Sequence, residues 1–352
     1  MGTKPFPFSI NELRQLLLLP DLSDSKVISC IKETQKNFTS SREKISEYVT
    51  KAEHVSSYSL FYMPTDFPKL SLILSQLGST HIKWFEESKL DIYDIGCGPG
   101  TFSFAWRNYF SMSDHRFHLI DQSQDMLAQA ERFSSELFCL PSFYTYQDLS
   151  KLSNEKKENS KVAIFGHSMN EMGTKVVNLY LNKIQPDFIF FIGPGTPDVF
   201  NLFMNWRRDF SDSFQMKVLY PCIGGGECPM LDSDDWCHQI LRSKLSPELH
   251  QLGQKLSIDR RSVPFIGHVY GKNELPYIEG EYTLVRFLGK TKFSWRYQAC
   301  PSGATDLIEL ELMKKSSSKE QIDQIMSLQV GERINVRVIK EIAPSHLRVA
   351  II

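Results

Sequence analysis

An apolar run, Leu90-Asp91-Ile92-Tyr93-Asp94-Ile95, passes directly into Gly96-Cys97-Gly98-Pro99-Gly100-Thr101 and then into Phe102-Ser103-Phe104-Ala105-Trp106. The run reads as a parallel strand buried on both faces, the glycines as a tight turn, and the residues after Thr101 as the opening of a helix. Such a junction brings backbone N–H groups and the positive end of a helix to one point. Glycine lets the chain turn there and lets a ligand touch bare backbone. The chain is therefore expected to build a sheet covered by helices, with a nucleotide-like cofactor at this turn. A strand-to-helix turn with no ligand is the plain alternative.

Spacing narrows the cofactor. A dinucleotide fold takes G-x-G-x-x-G. Here the third glycine comes one residue early, and Thr101 stands where that pattern has glycine. Asp94, two residues before Gly96, adds a carboxylate that suits a cationic ligand better than a pyrophosphate. The stretch resembles the first motif of class I S-adenosylmethionine (SAM) methyltransferases. On that resemblance Asp94, Gly96, Gly98 and Gly100 would hold the methionine moiety.

From Leu90 onward the chain alternates strand and helix, as in a parallel doubly wound sheet. The second strand is expected at Phe117–Ile120 and ends in Asp121, where a carboxylate can hold a ribose diol. Ser123 can cap the next helix. The third strand, Phe143–Tyr146, leads to Asp148, which can accept from an adenine amino group or cap a helix. The fourth, Val162–Phe165, ends in Gly166-His167-Ser168-Met169-Asn170-Glu171. Ligands in such sheets bind beyond the carboxyl ends of the strands. That segment carries neither an Asn-Pro-Pro-Tyr-like amine clamp nor a Pro-Cys nucleophile. His167 is a candidate general base or a packing residue. A fifth strand, Asp187–Ile192, runs into Gly193-Pro194-Gly195-Thr196-Pro197, a second glycine-proline turn, and a sixth spans Met216–Tyr220.

Before the sheet, residues 1 to about 80 read as helical. Tyr58–Pro64 breaks the helical pattern, and the region is expected to act as a lid or platform. The chain of 352 residues has a net charge of −1, so no overall basic signature marks a nucleic-acid binder. It contains no run of 18 apolar residues and no Arg-rich, acid-poor start. A cytoplasmic, bacterial protein with no membrane contact is the expectation.

Of seven cysteines, Cys30, Cys97 and Cys139 read as small packing residues. The other four are Cys222, Cys228 and Cys237, within sixteen residues, and the remote Cys300. Clustered thiols in such a protein point to a metal rather than disulfides. The close C-x2–4-C pairs usual for zinc are absent. Three thiols from one loop and one from afar suit a four-iron cluster, whose corners lie several ångströms apart. A Cys3His zinc site using His238 remains open, as does no metal at all.

Pro-Cys-x5-Cys-Pro-x6-Trp-Cys-His, the downstream Arg242, the glycine loop and Pro194-Gly195-Thr196-Pro197 together resemble the small-ribosomal-subunit methyltransferase-like family. Tyr62-Met63-Pro64-Thr65, Arg286-Phe287-Leu288-Gly289 and Cys300-Pro301-Ser302-Gly303 extend the resemblance over most of the chain. Gly193 stands where that family tends to carry an acidic residue. The resemblance implies a methyltransferase fold and binding to small-subunit ribosomal RNA. It also implies a [4Fe-4S] cluster on Cys222, Cys228, Cys237 and Cys300.

After the cysteines the chain turns basic. Arg242 to Arg296 holds ten Lys and Arg against five Asp and Glu. Arg260, Arg261, Lys290, Lys292 and Arg296 lie among Phe293, Trp295 and Tyr297, a pattern that fits RNA phosphates and exposed bases, or a solvated charged face. Thr283 to Ile352 reads as a small β domain, OB-like in pattern. The expected fold is thus α/β, a class I (Rossmann-like) methyltransferase sheet. The expected divisions are a helical region at 1–84, a SAM-binding core at 85–220, a cysteine-rich metal loop and end of core at 221–282, and a C-terminal β domain at 283–352. The expected function is methyl transfer to small-subunit rRNA by a protein that is monomeric off the ribosome. The alternative is a non-catalytic RNA-binding assembly factor with a vestigial or sensing SAM pocket.

Overall fold

The computed structural model describes residues 4–40, 51–152, 159–210, 212–222, 227–231, 233–272, 282–301 and 306–352. The family-like Ser302 and Gly303 and parts of the 151–161 and 223–226 loops lie outside them. The chain divides into two compact units, each assembled from three stretches. One is Met1–Ser75, Ile82–Gly193 and Arg242–Val263; the other is Gln76–His81, Pro194–Leu241 and Pro264–Ile352.

The first unit is built on five parallel strands. These are β1 (Leu90–Ile95), β2 (Arg116–Ile120), β3 (Ser142–Tyr146), β4 (Ser160–Gly166) and β5 (Phe188–Pro194). Their order is β3-β2-β1-β4-β5. Every residue of β1 is buried, as an apolar run between two helical layers requires. Helices Thr101–Tyr109, Gln124–Glu136 and Met169–Ile184 make the crossovers. The chain winds one way through β1, β2 and β3 and the other way through β4 and β5. The reversal therefore falls between β1 and β4, where a doubly wound sheet opens its ligand crevice. The strand order is that of the class I methyltransferase fold expected above.

The helices before the sheet differ from expectation. Ala52–Asp66 is one helix that runs through Pro64, and Pro68–Ser75 follows it. From His54 to Asp66 only Tyr58 is not fully buried, so no amphipathic stripe exists to be read. Burial on all sides, rather than a break, removed the helical period at Tyr58–Pro64. This segment is interior scaffold rather than a lid. Val55 packs on Met126 of the helix after β2. Phe104 and Phe138 stack with centroids 4.3 Å apart beside Phe67.

In the second unit β6 (Met216–Tyr220) pairs antiparallel with β8 (Ser262–Lys272), and β7 (Gln239–Arg242) also pairs with β8. A second sheet contains β9 (Tyr282–Lys290), β10 (Ser294–Pro301), β11 (Ile308–Met313), β12 (Arg333–Ile334), β13 (Val336–Ala343) and β14 (His346–Ile351). Its order is β12-β9-β10-β11-β14-β13. Leu284, Trp295, Tyr297, Leu310, Leu312 and Val349 form its core, covered by helix Lys319–Ser327. Among the described residues no pairing joins β12 to β13. The β domain is present, but as an open six-stranded sheet rather than an OB barrel.

Candidate functional site

The glycine loop has the geometry its composition requires. Gly96, Gly98 and Gly100 have φ of +67°, +54° and +87°, in the left-handed region where a Cβ is strained. A Cβ on Gly96 would also lie 2.4 Å from Ser168 Cβ. The loop is thereby packed directly against the segment that follows β4. At Gly98 the same direction is open, its nearest atom being Met126 Sδ at 4.0 Å. Gly98 therefore presents bare backbone to the crevice.

Two carboxylates brace this loop. Asp94 is fully buried; its Oδ2 accepts from Ser103 N at 2.9 Å and Ser103 Oγ at 2.8 Å, which ties β1 to the first turn of the next helix. Its Oδ1 is buried without a partner. Burial pushes the Asp94 carboxyl up to about 7, with Ser103 opposing and Asp121 adding to the shift. Asp121 Oδ2 accepts from Gly98 N and Oδ1 from Ser123 N, each at 2.9 Å. Burial raises its carboxyl above the usual range against these two bonds. Ser123 caps the following helix as expected, accepting from Met126 N.

Asp148 stands apart from this group. It is exposed, and it caps a short 3-10 turn by accepting from Ser150 N at 2.7 Å and from the Ser150 hydroxyl. Of its two sequence-level readings, the cap is the one in use here. Cys97 lies in the loop but is inert as a nucleophile: burial, then Asp121 and Asp94, raise its thiol far above the ordinary value.

Beyond β4 the structure gathers residues that no motif announced. His167 has φ +64° and donates its N–H to Ile192 O at 2.6 Å. Its Nε2 lies 2.8 Å from Lys69 Nζ. Lys69 is 1% exposed and meets Asp66 Oδ1 at 2.6 Å. Arg260 also pairs with Asp66, donates to Thr65 Oγ1 at 3.1 Å, and lies over the Tyr62 ring. Glu171 is exposed at the start of helix Met169–Ile184. The protein atoms around it, then Asp121, push its carboxyl up to about 8. One signal for this group was available: Lys69 is a lone charge inside the apolar run Pro68-Lys69-Leu70-Ser71-Leu72-Ile73.

In the second unit the four cysteines are free thiols. Burial first, then the charge of Cys222, push Cys228 up to about 11. Burial, then Cys222 and Cys228, push Cys300 up to about 12. Cys237 is also raised well above its ordinary value, by burial first and then by the other three. The thiols thus lie within electrostatic reach of one another. Arg207 donates to Cys222 Sγ at 3.1 Å, and Trp236 Nε1 donates to Gly195 O at 3.1 Å. Gly195 lies against the backbone of Pro264, where a Cβ would come within 2.6 Å. Its turn is therefore a packing turn. Among the described residues no group of three or more His, Cys, Asp or Glu side chains is arranged to hold a single metal ion.

Residues 52–271 match the family model described as mitochondrial small ribosomal subunit Rsm22. The chain belongs to the Rsm22 family. That description is mitochondrial and does not favour the bacterial cytoplasm expected above. No curated protein sequence matches the chain significantly. Among solved structures, the plantazolicin methyltransferase BpumL, in complex with a monoazolic desmethylPZN analog and SAH, is 15% identical over 71% of this chain and 98% of its own, with a TM-score of 0.39. The methyltransferase domain of a bacterial Hen1 is 12% identical over 59% and 98%, with a TM-score of 0.36. A precorrin-6y C5,15-methyltransferase from Geobacter metallireducens is 13% identical over 58% and 88%, with a TM-score of 0.35. At these scores none of them informs the function of this Rsm22-family chain.

The basic, aromatic stretch of this family member is less open than expected. Trp295 and Tyr297 point into the sheet core, because alternate residues of β10 face inward. Arg296 pairs with Glu309, Arg261 with Asp259 and Arg260 with Asp66. What stays exposed is the β9–β10 turn, where Phe293 is 65% exposed with Lys292 over its ring. Among the described residues no helix is long and apolar enough to cross a membrane.

Proposed function

We propose that this chain is a SAM-binding methyltransferase-like protein of the small ribosomal subunit that acts on its rRNA. The observation that carries this is the open backbone of Gly98, whose N–H is fixed by Asp121 at the mouth of a loop with an unpartnered carboxylate oxygen behind it. Gly96, Gly98 and Gly100 would let the methionine moiety approach the backbone, Asp94 and Asp121 would supply negative charge, and Asp121 would reach the ribose. Asp148 is the candidate for the adenine amino group and would have to release Ser150 to reach it. These groups suit a cationic ligand. When bound, SAM supplies an electrophilic methyl group, and the chain's part is to orient it and to exclude water. Calorimetry tests the pocket: SAM should bind, and Asp121→Ala should weaken it.

The ribosomal role rests on the family and on the exposed Lys292–Phe293 turn, whose ring is free to stack on an unpaired base. Crosslinking to RNA in cells, followed by a check for methylation at the crosslinked site with and without the gene, tests target and turnover together. A non-catalytic assembly factor is the second possibility. It is favoured by Asp94, which is sealed from solvent, and by Asp148, which is engaged by Ser150.

We further propose that Cys222, Cys228, Cys237 and Cys300 hold a [4Fe-4S] cluster. What supports this reading is the chemistry of the donors: four free thiols, of which Cys228, Cys237 and Cys300 are raised by burial and by their neighbours' charge. Protein purified without oxygen should be brown and carry iron and sulfide. A colourless protein with one zinc would favour a Cys3His site with His238 instead. A monomer off the ribosome, tested by light scattering, completes the proposal.

A further inference from the structure

The group beyond β4 has a charge imbalance. Asp66 is a single buried negative charge shared by two cations, Lys69 and Arg260. With both protonated, the cluster carries a surplus positive charge away from water, which is costly. Arginine cannot release its proton. Lys69 is the member that can, and losing its proton leaves the cluster neutral.

Lys69 is also wired outward. Its Nζ lies 2.8 Å from Nε2 of the His167 ring. No bond to the opposite ring nitrogen, Nδ1, is present among the described residues, and His167 as a whole is half-buried. His167 is held in a conformation that non-glycine residues rarely adopt, and such strain collects at working sites. It adjoins Ser168, whose Cβ leaves no room for a side chain on Gly96 of the loop. Phe102 lies against Gly166 and stacks near the imidazole at 6.1 Å.

We propose that His167 and Lys69, backed by Asp66, form a proton relay that takes the proton of the methyl acceptor, an N–H or O–H group. This rests on the SAM-binding reading above. As the acceptor atom gains the methyl, it gives its proton to His167 Nδ1. His167 passes its Nε2 proton to the neutral Lys69 amine. Lys69 ends as an ammonium beside Asp66 and returns the proton to solvent before the next cycle. The electron pair of the broken carbon–sulfur bond stays on sulfur, so the balance closes with one proton released. His167 is the residue that touches the acceptor, and Lys69 acts through it.

The titration behaviour agrees. Burial pulls Lys69 down to about 8, with Arg260 helping and Asp66 opposing. Burial, then Lys69, bring His167 down to about 3, so its ring is neutral at working pH. Asp66, Arg260, Tyr62, Tyr58 and Glu171 are the other titratable or charged groups around the cluster. Glu171 titrates in the same range as Lys69 and must be separated from it.

The test uses the full chain. Nitrogen NMR of His167 should report Nδ1–H below pH 8 and Nε2–H above it, switching in step with the Lys69 amine signal. Glu171→Gln should keep the switch, and Lys69→Arg should abolish it while preserving the positive charge. In methyl transfer to small-subunit RNA, the wild-type rate should rise tenfold per pH unit below about 8 and then level. Lys69→Arg and His167→Asn should lose at least a hundredfold in kcat with little change in SAM affinity. A His167 tautomer that ignores pH, or full activity in Lys69→Arg, overturns the relay. So does SAM binding by the wild type with no methyl transfer, which leaves the binding reading standing. Absence of SAM binding defeats that reading itself.

Discussion

Asp94→Asn isolates the cost of a buried carboxyl at the foundation of the loop. Asp94 is fully buried, with two bonds from Ser103 on one oxygen and none on the other. Its folded value of about 7 lies some three units above its ordinary one. At about 1.4 kcal/mol per unit, ionising it in the folded protein costs roughly 4 kcal/mol. The sign follows from proton binding. The folded state holds a proton that the unfolded state has released, so this group's contribution to stability is fully present below about pH 4 and is lost as pH rises through 7. Asparagine removes this slope. Its carbonyl can take both Ser103 bonds, while its amide sits unpartnered at a cost of about 1–3 kcal/mol. The variant should therefore be equal to or weaker than wild type at pH 5 and about 1–3 kcal/mol stronger at pH 8. Urea denaturation at the two pH values, with hydrogen exchange of helix Thr101–Tyr109 as the local probe, measures this. A stability difference that is the same at both pH values would mean that Asp94 is not protonated in the folded state.

Other substitutions probe the remaining features. Gly96→Ala combines a left-handed φ with a 2.4 Å clash and should cost roughly 2–5 kcal/mol. Gly98→Ala meets open space, should cost only about 1–2 kcal/mol, and should lose SAM affinity out of proportion to that, both readable by thermal melts and calorimetry. Cys237→Ser should remove most of the bound iron from protein purified without oxygen, read by metal analysis and loss of the brown colour. Phe293→Ala should weaken RNA binding by about 1–3 kcal/mol, the worth of one base stack, with an unchanged melting temperature because the ring packs on nothing it would miss.

The parallel strands and the glycine loop were legible because both follow from local rules. A run buried on both faces has an apolar sequence, and a left-handed turn selects glycine. The helix Ala52–Asp66 hid its nature for the opposite reason: burial on every side leaves no period to detect. The Asp66–Lys69–Arg260–His167 group was not legible because it joins three separate stretches, and only the fold brings Arg260 to Asp66. The basic, aromatic segment misled because strand alternation turns Trp295 and Tyr297 inward, leaving Phe293 outside. Asp148 could equally cap or bind at the level of sequence; a serine two residues on decided which it does here.

Equilibrium binding of SAM to the intact chain decides whether the loop of Gly96, Gly98 and Gly100 is a SAM site. One molecule should bind per chain, and Asp121→Ala should lower the affinity ten- to hundredfold, the worth of one charge-assisted bond at about 1.5–3 kcal/mol. A folded protein that binds no SAM, or binds it equally well without the Asp121 carboxylate, has no SAM site at this loop.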